Sequence, residues 1–456
     1  MNQDESLRSS FSGKLGYVLA TAGSAVGLGN IWRFPYLAAK YGGGMFLLVY
    51  LILALTFGYT LMMSESALGR MTGKSPVGAF RAFAKGKKRI LAGGWLNAVI
   101  PMLILPYYCV IGGWVTRYLA AYLSGSTHAA AGDDFFGSFI SDAVSGELWF
   151  LIFAVATVLV IIMGVEKGVE RVSKIMMPAL VVLSVAVAVY SMTRPGALEG
   201  VKYFLIPDLS RFSWMTVVAA LGQMFYSLSI AMGILVTYGS YMKKDVDVEK
   251  ATHQVIFFDS GVAALAGLMI IPAVFAFSGG SPETLQAGPS LMFITMPKVF
   301  DSMDFGGVIG IVFFLLVLFA ALTSSISLAE TATSTFVDEL HISRGKAVGI
   351  VTLLTVALGS LSSLGYSVLS FVHIGKMDIL DSFDFLTNSL MMPVAAFAIC
   401  MLIVFAVGVG AIVKEVKQSS GFRFEGLYKV FIRFIAPIFV LLILASSIAS
   451  LFGFSL

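Results

Sequence analysis

Apolar residues fill this chain in runs of about twenty, separated by short polar connections. Eleven runs can be marked: 15–37, 43–68, 90–123, 147–165, 169–192, 213–240, 253–277, 305–336, 346–366, 382–413 and 433–454. A helix of that length matches the ~30 Å hydrocarbon core of a bilayer, so the pattern predicts an all-α polytopic membrane protein with 11 transmembrane helices. Two runs break the pattern. In the first, LATAGSAVGLGNIWRFPY (19–36) crowds Gly23, Gly27 and Gly29 into mid-span, followed by Asn30, Arg33 and Pro35. Each mid-helix Gly costs about 1 kcal/mol relative to Ala and Pro about 3; a charge at bilayer depth costs at least ~2.5 kcal/mol more. Irregular backbone at that depth is tolerated only where it is buried in protein or lines a watery cavity. The sixth run, GQMFYSLSIAMGILVTYGSY (222–241), carries Ser227, Ser229 and Gly233 in mid-span. The second lies five runs on from the first, an odd number, so the two enter the membrane in opposite directions. Interrupted helices at matching places in two halves point to a secondary-transporter binding site. Residues 15–192 and 213–413 would then form an inverted five-helix repeat, with 433–454 an extra span, all within one domain, 1–456.

Composition agrees. The chain is 58% hydrophobic and only 12% charged, which excludes an ordinary soluble domain. Cys109 and Cys400, the two cysteines, both fall inside apolar runs and argue against disulfides and thiolate metal sites. The segment 1–12 is polar, with Asp4, Glu5 and Arg8, unlike a signal peptide. The net charge of +4 reflects topology and not nucleic-acid binding. Loop 70–89 supplies Arg70, Lys74, Arg81, Lys85, Lys87, Lys88 and Arg89, whereas acidic 124–146 has no Lys or Arg. The positive-inside rule therefore puts the N-terminus in the cytoplasm and, after eleven spans, the C-terminus outside a bacterial plasma membrane. Loop 70–89 also suits an anionic lipid, although topology alone explains it. The stretch 278–304 reads as an ordered outer loop.

Four motifs carry a family resemblance: GSAVGLGNIWRFPY (23–36), PYYCVIGGW (106–114), QMFYSLSIAMG (223–233) and ALTSSIS (321–327). Together they resemble the neurotransmitter:sodium symporter family, and within it the bacterial eleven-span amino-acid transporters. The resemblance runs in consistent order from Arg8 to Asp384. It implies the inverted-repeat fold of the bacterial leucine transporter, two Na⁺ sites and a central amino-acid site. The first Na⁺ site would take the Ala25 carbonyl, Asn30, Ser227 and Asp259, with the substrate carboxylate. The second would take the carbonyls of Gly23, Val26 and Ala320 and the hydroxyls of Thr323 and Ser324. Oxygen ligands suit a hard cation, although hydroxyls in membrane helices also commonly bond to backbone. The substrate site would include Ser24, Ala25, Gly27, Gly29, Ser227, Ser229, Ala231 and Ser324. Tyr108 would hold the substrate carboxylate, and Ile104, Tyr226, Met232 and Leu328 would surround its side chain. Arg33 with Asp384 resembles an outer gate, and Arg8 with Asp338 an inner one, the latter weakened because Phe11 replaces the family's usual Trp.

Some positions depart from the family. Asp259 stands where many relatives have Asn, Ala231 where many have Gly, and Ala263 where chloride-dependent members have Ser. A fixed carboxylate in place of a chloride site implies chloride independence, with Asp259 taking a proton as sodium leaves. His253 and Glu330 are intramembrane ionisable residues without a family role; a hydrogen-bonded structural role for Glu330 is the stronger reading. The function expected is sodium-coupled import of an amino acid by alternating access, with small apolar substrates such as glycine or alanine favoured. Carriage of larger hydrophobic or aromatic amino acids is the alternative on the same fold. A non-transporting sensor and an ion channel are the alternatives of another class. No enzyme motif is present, and a monomer or weak homodimer is expected.

Overall fold

The structure is a computed structural model that describes residues 10–278 and 289–451. Arg8, and residues 279–288 of the expected outer loop, lie outside the described residues. Nine helices among those described are long and apolar enough to cross a membrane. We label the main helices in chain order. The first interrupted stretch comprises α1 (Lys14–Ala25) and α2 (Phe34–Lys40), the latter preceded by a wide turn at Gly29–Arg33. There follow α3 (Gly44–Thr72), the short α4 (Pro76–Ala84), α5 (Lys88–Leu123), α6 (Ala143–Ile162) and α7 (Val165–Met192). The second interrupted stretch comprises α8 (Trp214–Ser227) and α9 (Ile234–Ser240). The chain continues through α10 (Val248–Ser278), α11 (Gly306–Leu340), α12 (Arg344–Leu364), α13 (Ile379–Val407) and α14 (Glu425–Ala449).

Local chemistry sets several boundaries. Gly73 closes α3 in a left-handed conformation (φ 62°), and Pro76 opens α4 at a position where its missing N–H costs nothing. Ser213 and Thr216 cap α8 reciprocally through side chain and backbone. Packing recurs between the two halves: α1 lies on α10 as α8 lies on α3, α5 on α6 as α11 on α12, and α7 on α11 as α13 on α5. One continuous core runs through these contacts, with α5 and α11 at its centre. Apolar side chains such as Leu151, Ile175, Val182, Leu353 and Phe405 remain exposed, as expected of surface that faces lipid.

Candidate functional site

The two helix breaks meet in the middle of this bundle. Helix α1 ends at Ala25, and its freed polar groups find partners at once. Gly27 N–H donates to Asn30 Oδ1 (3.1 Å) and Leu28 N–H to Tyr108 Oη (3.3 Å), while Gln223 Nε2 donates to Gly29 O (3.1 Å). No side chain fits at Gly27 or Gly29. A Cβ on Gly27 would lie 2.7 Å from Ser324 Oγ, and one on Gly29 would lie 2.7 Å from the Tyr226 ring.

The second break uses backbone that glycine favours but this chain builds partly without it. Ser229, Ala231 and Gly233 have φ of 54°, 60° and 69°; each of the first two costs about 1–2 kcal/mol for an L-residue. Ser229 Oγ donates to Ser24 O (3.1 Å), tying one break to the other. Ala231 N–H donates to Glu65 Oε1 (2.8 Å). Glu65 lies fully buried on α3.

Between the breaks lies a cavity of ≈ 30 Å³, room for no more than a few atoms. Its lining includes Ser24, Ala25, Gly27, Gly29, Ser227, Ser229 and Ser324 on the backbone side. Ile104, Tyr108, Tyr226, Met232 and Leu328 face them, together with Leu28, Asn30 and Ile234. Ala231, also expected at the substrate site, is not among the residues that line this cavity. Its backbone is left-handed, and its N–H turns to Glu65.

Beside Asn30 stands Asp259, fully buried. Oδ1 accepts from Asn30 Nδ2 (2.8 Å) and Ser227 Oγ (2.8 Å), and Oδ2 from Tyr50 Oη (2.6 Å). All three donors are neutral, and no Lys, Arg or His pairs with it among the described residues. On the far side of α1, Ser324 Oγ lies 3.3–3.4 Å from the carbonyl oxygens of Gly23, Ser24 and Val26. Thr323 Oγ1 donates to Phe319 O (2.9 Å) and Ala320 O (3.2 Å). Ser324 Oγ thus meets two of the carbonyl oxygens expected for a second cation, those of Gly23 and Val26, whereas the bonds of Thr323 stay within its own helix. No cluster of His, Cys, Asp and Glu suited to a transition metal occurs among the described residues.

The outer pair is not formed. Arg33 lies over the Tyr226 ring, 5.3 Å from its centroid. Asp384 accepts instead from Tyr107 Oη (3.2 Å) and Asn388 Nδ2 (2.5 Å). Both donors bind the same oxygen, Asp384 Oδ1. At the other end, Asp338 Oδ2 accepts from Ser75 N–H (2.7 Å), and Phe11 sits in a cage of Tyr17, Tyr238 and Tyr241. Glu330 pairs with Arg344 (2.5 Å) and accepts from Tyr241 Oη (2.8 Å). His253 stacks on Tyr59, 4.6 Å between centroids.

Comparison with known proteins gives four findings. Residues 8–131 and 140–454 match the model of the sodium:neurotransmitter symporter family. A sodium-dependent transporter of Bacillus subtilis, YhdH, is 34% identical over 446 residues, covering 97% of this chain and 98% of its own. The human sodium- and chloride-dependent GABA transporter 2 is 28% identical, over 94% of this chain and 78% of its own. Among solved structures, MhsT in complex with L-phenylalanine superposes with a TM-score of 0.86 at 38% identity, covering 96% of this chain and 100% of that one.

Proposed function

The chain belongs to the sodium:neurotransmitter symporter family, a family of sodium-dependent transporters and not of enzymes, and on that premise we propose that it imports an apolar amino acid coupled to Na⁺. One observation carries the reading: a buried carboxylate, Asp259, held only by neutral donors beside a broken helix. An isolated buried charge is costly unless a cation or a proton offsets it. Na⁺ supplies that offset at a site formed by Asp259, Asn30, Ser227 and the Ala25 carbonyl, and a second Na⁺ binds among Gly23, Val26, Ala320, Thr323 and Ser324. The substrate carboxylate faces Tyr108 Oη and the freed amide groups at 27–29, where the following helix turn adds partial positive charge. Its ammonium faces the freed carbonyls, and its side chain lies among Ile104, Tyr226, Met232 and Leu328.

Recurrent packing between α1–α7 and α8–α13 supports an inverted repeat over 15–192 and 213–413. Alternating access then rocks the elements bearing the breaks against the rest. In this reading the chain spans eleven times, the positive-inside rule keeps the basic loop 70–89 and the N-terminus in the cytoplasm of a bacterial cell, and a monomer or weak homodimer is the working unit. Asp259 stands in for chloride, and a proton replaces Na⁺ on it during the return step.

Two substrate readings rest on different observations. The bulky apolar lining of the cavity, with Ile104, Tyr226 and Met232, supports glycine or alanine. The relative with bound L-phenylalanine supports larger hydrophobic amino acids. Purified protein heated with each of the twenty amino acids, in Na⁺ and in K⁺, separates them, because a bound ligand raises the melting temperature. Stabilisation by small apolar amino acids in Na⁺ alone supports the first; stabilisation by phenylalanine or leucine above alanine supports the second. No stabilisation in either salt would contradict the proposal.

A further inference from the structure

A second groove, of ≈ 360 Å³, lies far from the breaks, where α4, the start of α5 and the end of α13 come together. Its floor is apolar: Phe80 and Phe83 from α4, Ile90 from α5, and Met401 and Phe405 from α13. Phe405 is 79% exposed, so the floor opens sideways onto the surface that faces lipid. Its rim is basic, with Lys85, Lys87 and Arg89, all exposed. Lys85 and Gly86, at φ 44° and 81°, turn the chain sharply between α4 and α5 and place these bases at one end of the floor. The N-terminus of the 36-residue α5 opens in the same place, and the first amides of a helix have no acceptor within it.

Several other surface bases are already paired. Arg81 on the same helix pairs with Glu339, Lys244 with Glu415, and Lys417 and Lys429 with Glu425. Lys85, Lys87 and Arg89 have no carboxylate within ion-pair distance among the described residues, and no acidic residue lines the groove. A basic rim over an apolar floor that opens to the bilayer matches one kind of molecule: phosphate above, acyl chain below. Positive-inside topology explains the charge of the loop but not a groove beneath it.

We propose that this groove is a binding site for one acidic phospholipid, its phosphate held by Lys85, Lys87 and Arg89 and an acyl chain laid along Phe80, Phe83 and Phe405. The lipid would brace α4 and α5 against α13. The site is separate from the central one and independent of its ions.

The test uses delipidated full-length protein in neutral detergent, with dioleoyl-phosphatidylglycerol, dioleoyl-phosphatidylcholine or inorganic phosphate added. Native mass spectrometry counts bound lipid, and melting temperature reads stabilisation. Phosphatidylglycerol is expected to bind at one molecule per chain and to stabilise; phosphatidylcholine and free phosphate are not. Replacing all three bases (Lys85→Gln, Lys87→Gln, Arg89→Gln) should weaken that binding by roughly tenfold or more. Lys14→Gln with Lys74→Gln and Lys346→Gln, which removes equal charge outside the groove, should not. Ala406→Trp fills the groove, leaves every charge in place and should also displace the lipid, which guards against a misfolded triple variant. Equal retention of phosphatidylglycerol by both groove variants, equal loss in the control, or equal binding of phosphatidylcholine overturns the proposal.

Discussion

Tyr50 donates its hydroxyl to Asp259 at 2.6 Å, joining α3 to α10 beside the first helix break. The bond fixes one carboxylate oxygen, and Asn30 and Ser227 share the other. Nothing cationic is built into the site, so the carboxylate is free to be balanced by what the site carries.

Asp259→Asn keeps the size and loses the charge. It should raise the Na⁺ concentration for half-maximal uptake by at least tenfold, about 1.4 kcal/mol. Wild-type uptake should be equal in chloride and gluconate, since Ala263 offers no hydroxyl to an anion. Strong chloride stimulation of the wild type would remove the basis for this role of Asp259.

Thr323→Ala with Ser324→Ala deletes two hydroxyls from the second cluster. Water cannot readily replace them, because both side chains are buried. Uptake at low Na⁺ should fall about tenfold or more, again about 1.4 kcal/mol. An unchanged Na⁺ titration would show that the hydroxyls serve only their own helix, as the bonds from Thr323 to Phe319 O and Ala320 O would allow.

Glu65 is the acceptor for the Ala231 amide at the second break. Glu65→Ala leaves that buried N–H without a partner, at a cost of about 1–3 kcal/mol, and should lower the melting temperature by several degrees. Glu65→Gln keeps an acceptor oxygen and should recover most of the loss. Equal loss in both would assign the effect to charge and not to the hydrogen bond.

Arg33 and Asp384 are apart here, each with another partner. If they meet as the site closes, Asp384→Ala and Arg33→Ala should each cut uptake severalfold, and the reversed pair Arg33→Asp with Asp384→Arg should restore little, because Arg33 also packs on Tyr226. Wild-type uptake by Asp384→Ala would make the residue a local hydrogen-bond acceptor and nothing more.

Much of this was legible in the chain. Apolar run length reveals the long helices, and the density of Gly, Asn, Arg and Pro in 23–35 marks the first break, since each residue opposes a membrane helix on its own. The second break is fainter: only Gly233 is an outright helix breaker, and Ser229 and Ala231 adopt positive φ that no propensity foretells. Tyr50 was missed because a tyrosine in an apolar run looks like packing. Glu65 was missed too, although a lone acid inside 43–68 is a functional signal. Ala231 was assigned to the pocket on likeness alone, and its bond to Glu65 had no sequence signal. That Arg33 and Asp384 stand apart, with Tyr107 and Asn388 at one carboxylate oxygen, is a detail only three dimensions supply.

The measurement that bears most directly on the central claim is uptake into proteoliposomes. Labelled L-alanine and labelled L-phenylalanine are followed separately, with an inward Na⁺ gradient or with K⁺ in its place. At least one should accumulate above its outside concentration under the Na⁺ gradient, saturate with unlabelled amino acid, fall to the protein-free background in K⁺, and fall well below wild type at low Na⁺ in Asp259→Asn. Uptake that ignores Na⁺, or that rises without saturation, would contradict sodium-coupled transport through this site.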